Sequence, residues 1–200
     1  MKTIGVLVGF FFSFFLLGQE ASHQLVLSIP SQSQLRIVDP VGVNSGGSVV
    51  QMQSNTTIQQ AGDQVENLFP FYSDTYFLQY TYVASSSAIN GAKITIHRSA
   101  FSQPEFENET NLYVVIGSSN TYTSSGSNPS VNSNQKLPIP VSNSKSADLV
   151  SNIQSGWTGA GVGQGTSFSY EWDLASQSSS AELLAGKTES TQITYTLVEY

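Results

Sequence analysis

The stretch Ser167-Phe168-Ser169-Tyr170-Glu171-Trp172-Asp173-Leu174 alternates strictly between small or acidic residues and large apolar ones. Successive side chains of a strand point to opposite faces, so this run has one oily face and one wet face. The run Gln192-Ile193-Thr194-Tyr195-Thr196-Leu197-Val198-Glu199 comes close to repeating the pattern. Two such runs mark antiparallel sheets packed through one side, and the chain reads as all-β. Phe168, Tyr170, Trp172 and Leu174 form the expected inward set. Glu171 and Asp173 are then expected on the wet side beside Ser167 and Ser169.

Further strands appear on working outward from this stretch. Residues 75–83 place Tyr76, Leu78, Tyr80 and Tyr82 on one face and Phe77, Gln79, Thr81 and Val83 on the other. Asn90-Gly91 tolerates positive φ at both positions, which predicts a hairpin into a strand over 92–98 with Ile94 and Ile96 inward. Residues 111–116 are apolar on both faces, as expected for a strand central to its sheet. Residues 24–29 and 34–38 read as two early strands, each closed by a proline. Residues 148–153 should open a final meander, and 181–186 form a helical turn stopped by Gly186. The Ser/Asn/Gly/Thr-rich region near 118–135 is expected as a flexible exposed loop. About eight or nine short strands over residues 22–200 predict a single antiparallel β-sandwich, immunoglobulin-like or jelly-roll-like.

Composition narrows the setting. A positive start at Lys2, an apolar run over 4–17 and small or polar residues at 18–22 read as a signal peptide spanning about 1–21. The apolar run is short for a membrane span and no basic stop follows it. Export to the cell surface or medium is therefore expected, with the periplasm as an alternative. The chain has no cysteine, so neither disulfides nor thiolate metal sites are available. Charged residues make up only 10% and the formal net charge is -7. That balance argues against nucleic acid and anionic membranes as partners.

Three patterns are candidates for chemistry. Glu171 and Asp173, two residues apart on a strand, share a face, and paired carboxylates are what glycoside hydrolysis requires. A solvated acidic stripe that discourages edge pairing is the expected reading here. The glycine-rich run 156–165 resembles a phosphate loop only superficially. No lysine and no helix start follow it, so a flexible hairpin loop is expected. Trp157 within it is either a sugar-stacking platform or an aromatic plug tucked into the core, and burial is expected for a residue of its size. Tyr122 is a second loop aromatic that could join Trp157 in binding. His23 and His97 are far apart in sequence, and Asp63, Glu66 and Asp74 lack calcium-loop spacing, so no metal or cofactor is expected.

Several short motifs carry a resemblance. Residues 22–30, Ala61-Gly62-Asp63, Leu78-Gln79-Tyr80-Thr81, residues 153–161 and Ile193-Thr194-Tyr195-Thr196-Leu197 together resemble a group of small uncharacterised secreted proteins of Bacteroidetes. That resemblance implies an exported β-sandwich and brings no activity with it. A looser similarity is to fimbrial subunits, which end on an alternating strand with a tyrosine near the last position, as Glu199-Tyr200 does here. The cysteine pair common in such subunits is absent. One jelly-roll glycosidase family shares a Glu-x-Asp-x-x-x-Glu strand with this chain, but Gln177 stands where the last acid would be. The function expected from the sequence is a non-enzymatic, exported structural or adhesive protein that pairs with copies of itself or with surface proteins. The alternative is a carbohydrate-binding module, with a glycosidase behind it.

Overall fold

The structure is a computed structural model describing residues 32–43, 49–54, 69–84, 91–120, 122–123, 129–132, 136–141, 145–176, 184 and 187–200. The expected signal peptide, the strand over 24–29, and Asp63, Glu66 and Gln177 lie outside these residues. Of the expected turn at 181–186, only Leu184 is described, and it is buried.

The strands in chain order are β1 (Gln32–Val38), β2 (Gln53–Ser54), β3 (Phe71–Tyr72), β4 (Tyr76–Val83) and β5 (Ala92–Arg98). A short helix α1 (Pro104–Glu109) leads into β6 (Thr110–Asn120), followed by β7 (Tyr122–Thr123), β8 (Ser130–Val131) and β9 (Lys136–Pro138). The chain ends through β10 (Ala147–Ile153), β11 (Gly156–Trp157), β12 (Gly165–Leu174) and β13 (Ile193–Glu199). These strands form two antiparallel sheets packed face to face, the all-β sandwich that period-two alternation predicts.

Among the described residues, sheet A holds nine strands and sheet B four, in the order β13-β5-β10-β8. In sheet A, β12 is central. It pairs with β6 along one side, from Thr166–Ser119 to Leu174–Thr110. On its other side it pairs with β4 near Phe168 and with β3 near Trp172. β1 covers the far side of β4 over its whole length, and β9 covers the far side of β6. β11 continues the line of β12 between β4 and β7.

The core fills the space between the sheets. Tyr76, Leu78, Tyr80 and Tyr82 of β4, Leu112, Val114 and Ile116 of β6, and Phe168 and Tyr170 of β12 face Ala92, Ile94, Ile96, Leu149 and Ile153 of sheet B. Ile193, Tyr195 and Leu197 of β13 close the cluster from the sheet edge. Tyrosine hydroxyls buried here need partners. Tyr170 and Tyr195 supply one another across the two sheets, oxygen to oxygen at 2.8 Å. Burial pushes the Tyr170 phenol up to about 12, and it raises Tyr195 and Tyr80 as well.

Three expectations about connections are corrected. The hairpin expected from Asn90-Gly91 is not formed, because β4 belongs to sheet A and β5 to sheet B, and Asn90 itself lies outside the described residues. Gly91 does take positive φ, at 86°, but it serves a crossing between sheets. Residues 148–153 do not open a meander either: β10 sits between β5 and β8 in sheet B, whereas β12 lies in sheet A. The region expected as a loop near 118–135 begins as strand. β6 runs on to Asn120, and β7 and β8 pair further along.

At one end of the sandwich, aromatic rings gather. Trp172 packs against Phe69, Phe71 and Phe106, with the Phe106 ring nearly parallel to it at 5.6 Å. Helix α1, which carries Phe106, is held by Arg98. The Arg98 side chain is 5% exposed and sits 2.8 Å from a Glu107 carboxylate oxygen. The hydrogen bond from Arg98 holds the Glu107 carboxyl below its ordinary range, although partial burial works the other way. Among the described residues, no helix is long and apolar enough to cross a membrane.

Candidate functional site

The inner face of sheet A is spent on the core, so the residues of this sheet that are available for contact or chemistry lie on its outer face. Antiparallel register partners share a face, and this arranges the outer residues in rows across the strands. Two rows, near opposite ends of the sheet, hold the residues singled out from the sequence.

The first row carries the acids. Glu171 of β12 lies opposite Tyr72 of β3 on one side and Tyr113 of β6 on the other. Lys136 of β9 reaches over Tyr113, with its ammonium 4.2 Å from the ring centroid, and meets Glu171 Oε1 at 2.6 Å. The same ammonium is 3.5 Å from Asp173 Oδ2. Burial alone would lower the Lys136 ammonium, but the Glu171 hydrogen bond and the two negative charges outweigh it and raise its pKa. Burial, and then the Glu171 charge, also raise the Tyr72 phenol.

This overturns the expected solvated stripe. Glu171 is only 8% exposed, and β12 is a central strand with no edge to protect. Lys136 accounts for the burial, because a carboxylate leaves water readily only when a paired cation and hydrogen bonds replace its hydration. The ammonium also fills the space between Glu171 and Asp173, where a glycosidic oxygen would have to enter for the two acids to flank it.

The second row carries Trp157. It is 50% exposed, not the core plug expected from its size. β11 explains the exposure. Gly156 and Thr158, its neighbours, point inward and are buried, so alternation turns the indole out. The segment is tied on both sides. Gly156 pairs with Tyr82 and Thr123, and Trp157 pairs with Thr81 and Tyr122. Thr158 donates its backbone N–H to the Tyr80 carbonyl at 3.0 Å and accepts the Tyr80 N–H on Oγ1 at 3.0 Å. Thr81 is paired in turn with Gln34 of β1, and both are exposed. The register thus brings Trp157 and Tyr122 to adjacent positions.

The glycine-rich loop lies between the two rows, and it is pinned rather than flexible. Gln79 is buried on the outer side of β4 and donates Nε2 to the carbonyls of Gly161 at 2.8 Å and Gln164 at 3.0 Å. Its Oε1 accepts from Arg36 Nε and Nη2, and Arg36 Nη2 also reaches the Ala160 carbonyl. Gly165 ends the loop with φ at 96°, tight against the Leu78 carbonyl, where a Cβ would collide. Val162, at the tip, is 55% exposed beside Gly42.

Lys136, Tyr72 and Tyr113 around Glu171, and Gln79 and Arg36 under the loop, were not singled out from the sequence. Their partners lie far away in the chain, and no local pattern links them. A polar residue in the middle of the strongest strand, as Gln79 is, was the one available signal. His97 is half-buried on β5 opposite Thr194. Among the described residues, no group of three or more His, Asp or Glu could hold a metal ion. No protein family, no curated protein and no solved structure matches this chain.

Proposed function

We propose that this chain is an exported, non-enzymatic protein that works by contact at the cell surface, as a structural or adhesive β-sandwich. The observation that carries the reading is the outer face of sheet A. It holds Trp157 out on a strand clamped from both sides, and it locks its acid pair onto Lys136. A large aromatic on a rigid support loses little freedom on binding, so it serves well as a contact residue. The apolar run over 4–17 behind Lys2 supports export. Coating beads with the chain from residue 22 onward, and scoring their attachment to bacterial cells and to extracellular matrix, tests the reading. Attachment above that of beads coated with an unrelated acidic protein supports it, and none sinks it.

A second reading, self-association, rests on β13. This strand is outermost in sheet B, paired with β5 alone among the described residues. A strand edge of seven residues offers N–H and C=O groups to another chain. Light scattering at high concentration tests it, and a strictly monomeric mass counts against it.

A further inference from the structure

We infer that the loop over 99–103, helix α1 and the strap over 187–192 form an acid-opened latch on one end of the sandwich. Three carboxylates hold it shut at neutral pH, and protonating them lets α1 swing off the Trp172 ring stack while both sheets stay paired. The latch goes beyond the adhesive reading and does not depend on it.

Each carboxylate closes a different crossing. Glu107 of α1 accepts from both terminal nitrogens of Arg98, at 3.0 and 2.8 Å, and from the Phe101 N–H at 3.1 Å. Glu189 of the strap accepts from the Ser102 hydroxyl at 2.7 Å and from the Gln103 N–H at 2.8 Å, where the chain enters α1. Glu105 of α1 meets Lys187 of the strap at 3.0 Å. Bonds of this kind owe much of their strength to the negative charge, so protonation weakens all three together. The other half of the strap does not titrate. Thr191 and Gln192 bond to Ser99 through hydroxyl and backbone groups and continue the β5–β13 ladder. They form the fixed end on which the latch turns.

Two side chains under the latch pull in opposite directions. Phe106 is buried against Trp172 and Phe101, and its apolar contact keeps α1 down. The Arg98 side chain is only 5% exposed, and it is settled there by the Glu107 charge. Once Glu107 is neutral, a buried guanidinium keeps the Ser99 carbonyl but loses its counter-charge, which is costly until opening admits water. The neighbouring charges do not replace Glu107. His97 points to the opposite face of β5, Glu109 ends α1, and Asp173 faces Lys136 on the outer side of sheet A. Residues 139–141, beside Arg98, carry no charge.

The titration has the matching sign. The Arg98 hydrogen bond lowers the Glu107 carboxyl, the Ser102 hydroxyl lowers that of Glu189, and the backbone N–H of Glu105 and then Lys187 lower that of Glu105. Such groups stabilise the closed form above their ordinary value of 4.5 and cease to do so as pH falls through their folded values.

Residue-resolved hydrogen exchange from about pH 7 to about pH 3, corrected for intrinsic exchange rates, tests the inference. Protection of the Phe101, Gln103 and Phe106 N–H groups should fall about tenfold or more in acid, while the amides of β4, β12 and Gln192 keep theirs. Glu107→Gln faces Arg98 with a neutral amide and should show the loss already at neutral pH. Glu189→Gln should make the acid response shallower by about one proton, and it carries the test if Glu107→Gln does not fold. Protection over 99–109 that is lost only together with β4 and β12 overturns the latch. So does wild-type protection in Glu107→Gln at neutral pH, or an unchanged acid slope in Glu189→Gln.

Discussion

The two ends of the outer face of sheet A serve opposite purposes. At the Glu171 end, the two acids are tied. Lys136 bridges Glu171 and Asp173 above the sheet, and below it Trp172 packs among phenylalanines. At the Trp157 end the backbone is just as firmly paired, but the large side chain faces solvent. The difference shows that aromatic content and strand order do not mark a contact site by themselves. What separates the ends is which side of the strand the large residue falls on, and that is decided by the parity of its position.

The contrast can be broken most forcefully at Trp172. Trp172→Ala empties the space shared by Phe69, Phe71 and Phe106, and it should cost about 4 kcal/mol in urea denaturation. A cost below about 1 kcal/mol would mean that the acid end is not the packed end. Next comes Gly165→Ala, which puts a Cβ against the Leu78 carbonyl at a positive φ. A loss of about 3 kcal/mol is expected, along with faster proteolysis within the loop over 158–164. A neutral result would show that the approach of Gly165 to the Leu78 carbonyl is not a tight one.

Lys136→Met sharpens the comparison. It strands the buried Glu171 carboxylate, but Lys136 is 40% exposed, so the cost of breaking a fully buried pair is discounted to about 1–2 kcal/mol. The same variant bears on alkaline stability. The folded pKa of Lys136 is raised, so its contribution is fully present below its ordinary value and is lost as pH rises through the folded one. Tyr170, pushed up to about 12, behaves in the same way from its own ordinary value near 10. The denaturation midpoint should therefore fall between about pH 10 and 12, and less steeply in Lys136→Met. Equal slopes would assign the loss to the tyrosines alone. The smallest effect belongs to Trp157→Ala, which should change stability by less than about 0.5 kcal/mol. Its removal should also leave a fluorescence spectrum from Trp172 that acrylamide quenches poorly.

Much of the fold is legible in alternation. The inward sets of β4, β5 and β12 come from period two, because burial acts on faces and faces are written locally in the chain. The connections are not written that way. Asn90-Gly91 has the chemistry of a hairpin turn, yet the chain passes to the other sheet, because its route beyond a turn is set by which surfaces need cover. The site was legible to the same degree. Trp157 and Tyr122 were both visible as aromatics in polar segments, and the structure makes them register partners. Exposure of Trp157 was hidden because residue size predicts burial on average, and only the pairing of Gly156 and Thr158 reverses it. The burial of Glu171 was hidden because its cation arrives from β9, 35 residues away in the chain.

The central place of β12 has a consequence for how the molecule comes into being. Its two flanks are claimed by β3 and β4 and by β6, all of which leave the ribosome far earlier. Until residue 174 has emerged, β1 can pair with β4 and β9 with β6, but sheet A lacks the strand that joins those two pairs. Such non-local closure makes for slow maturation.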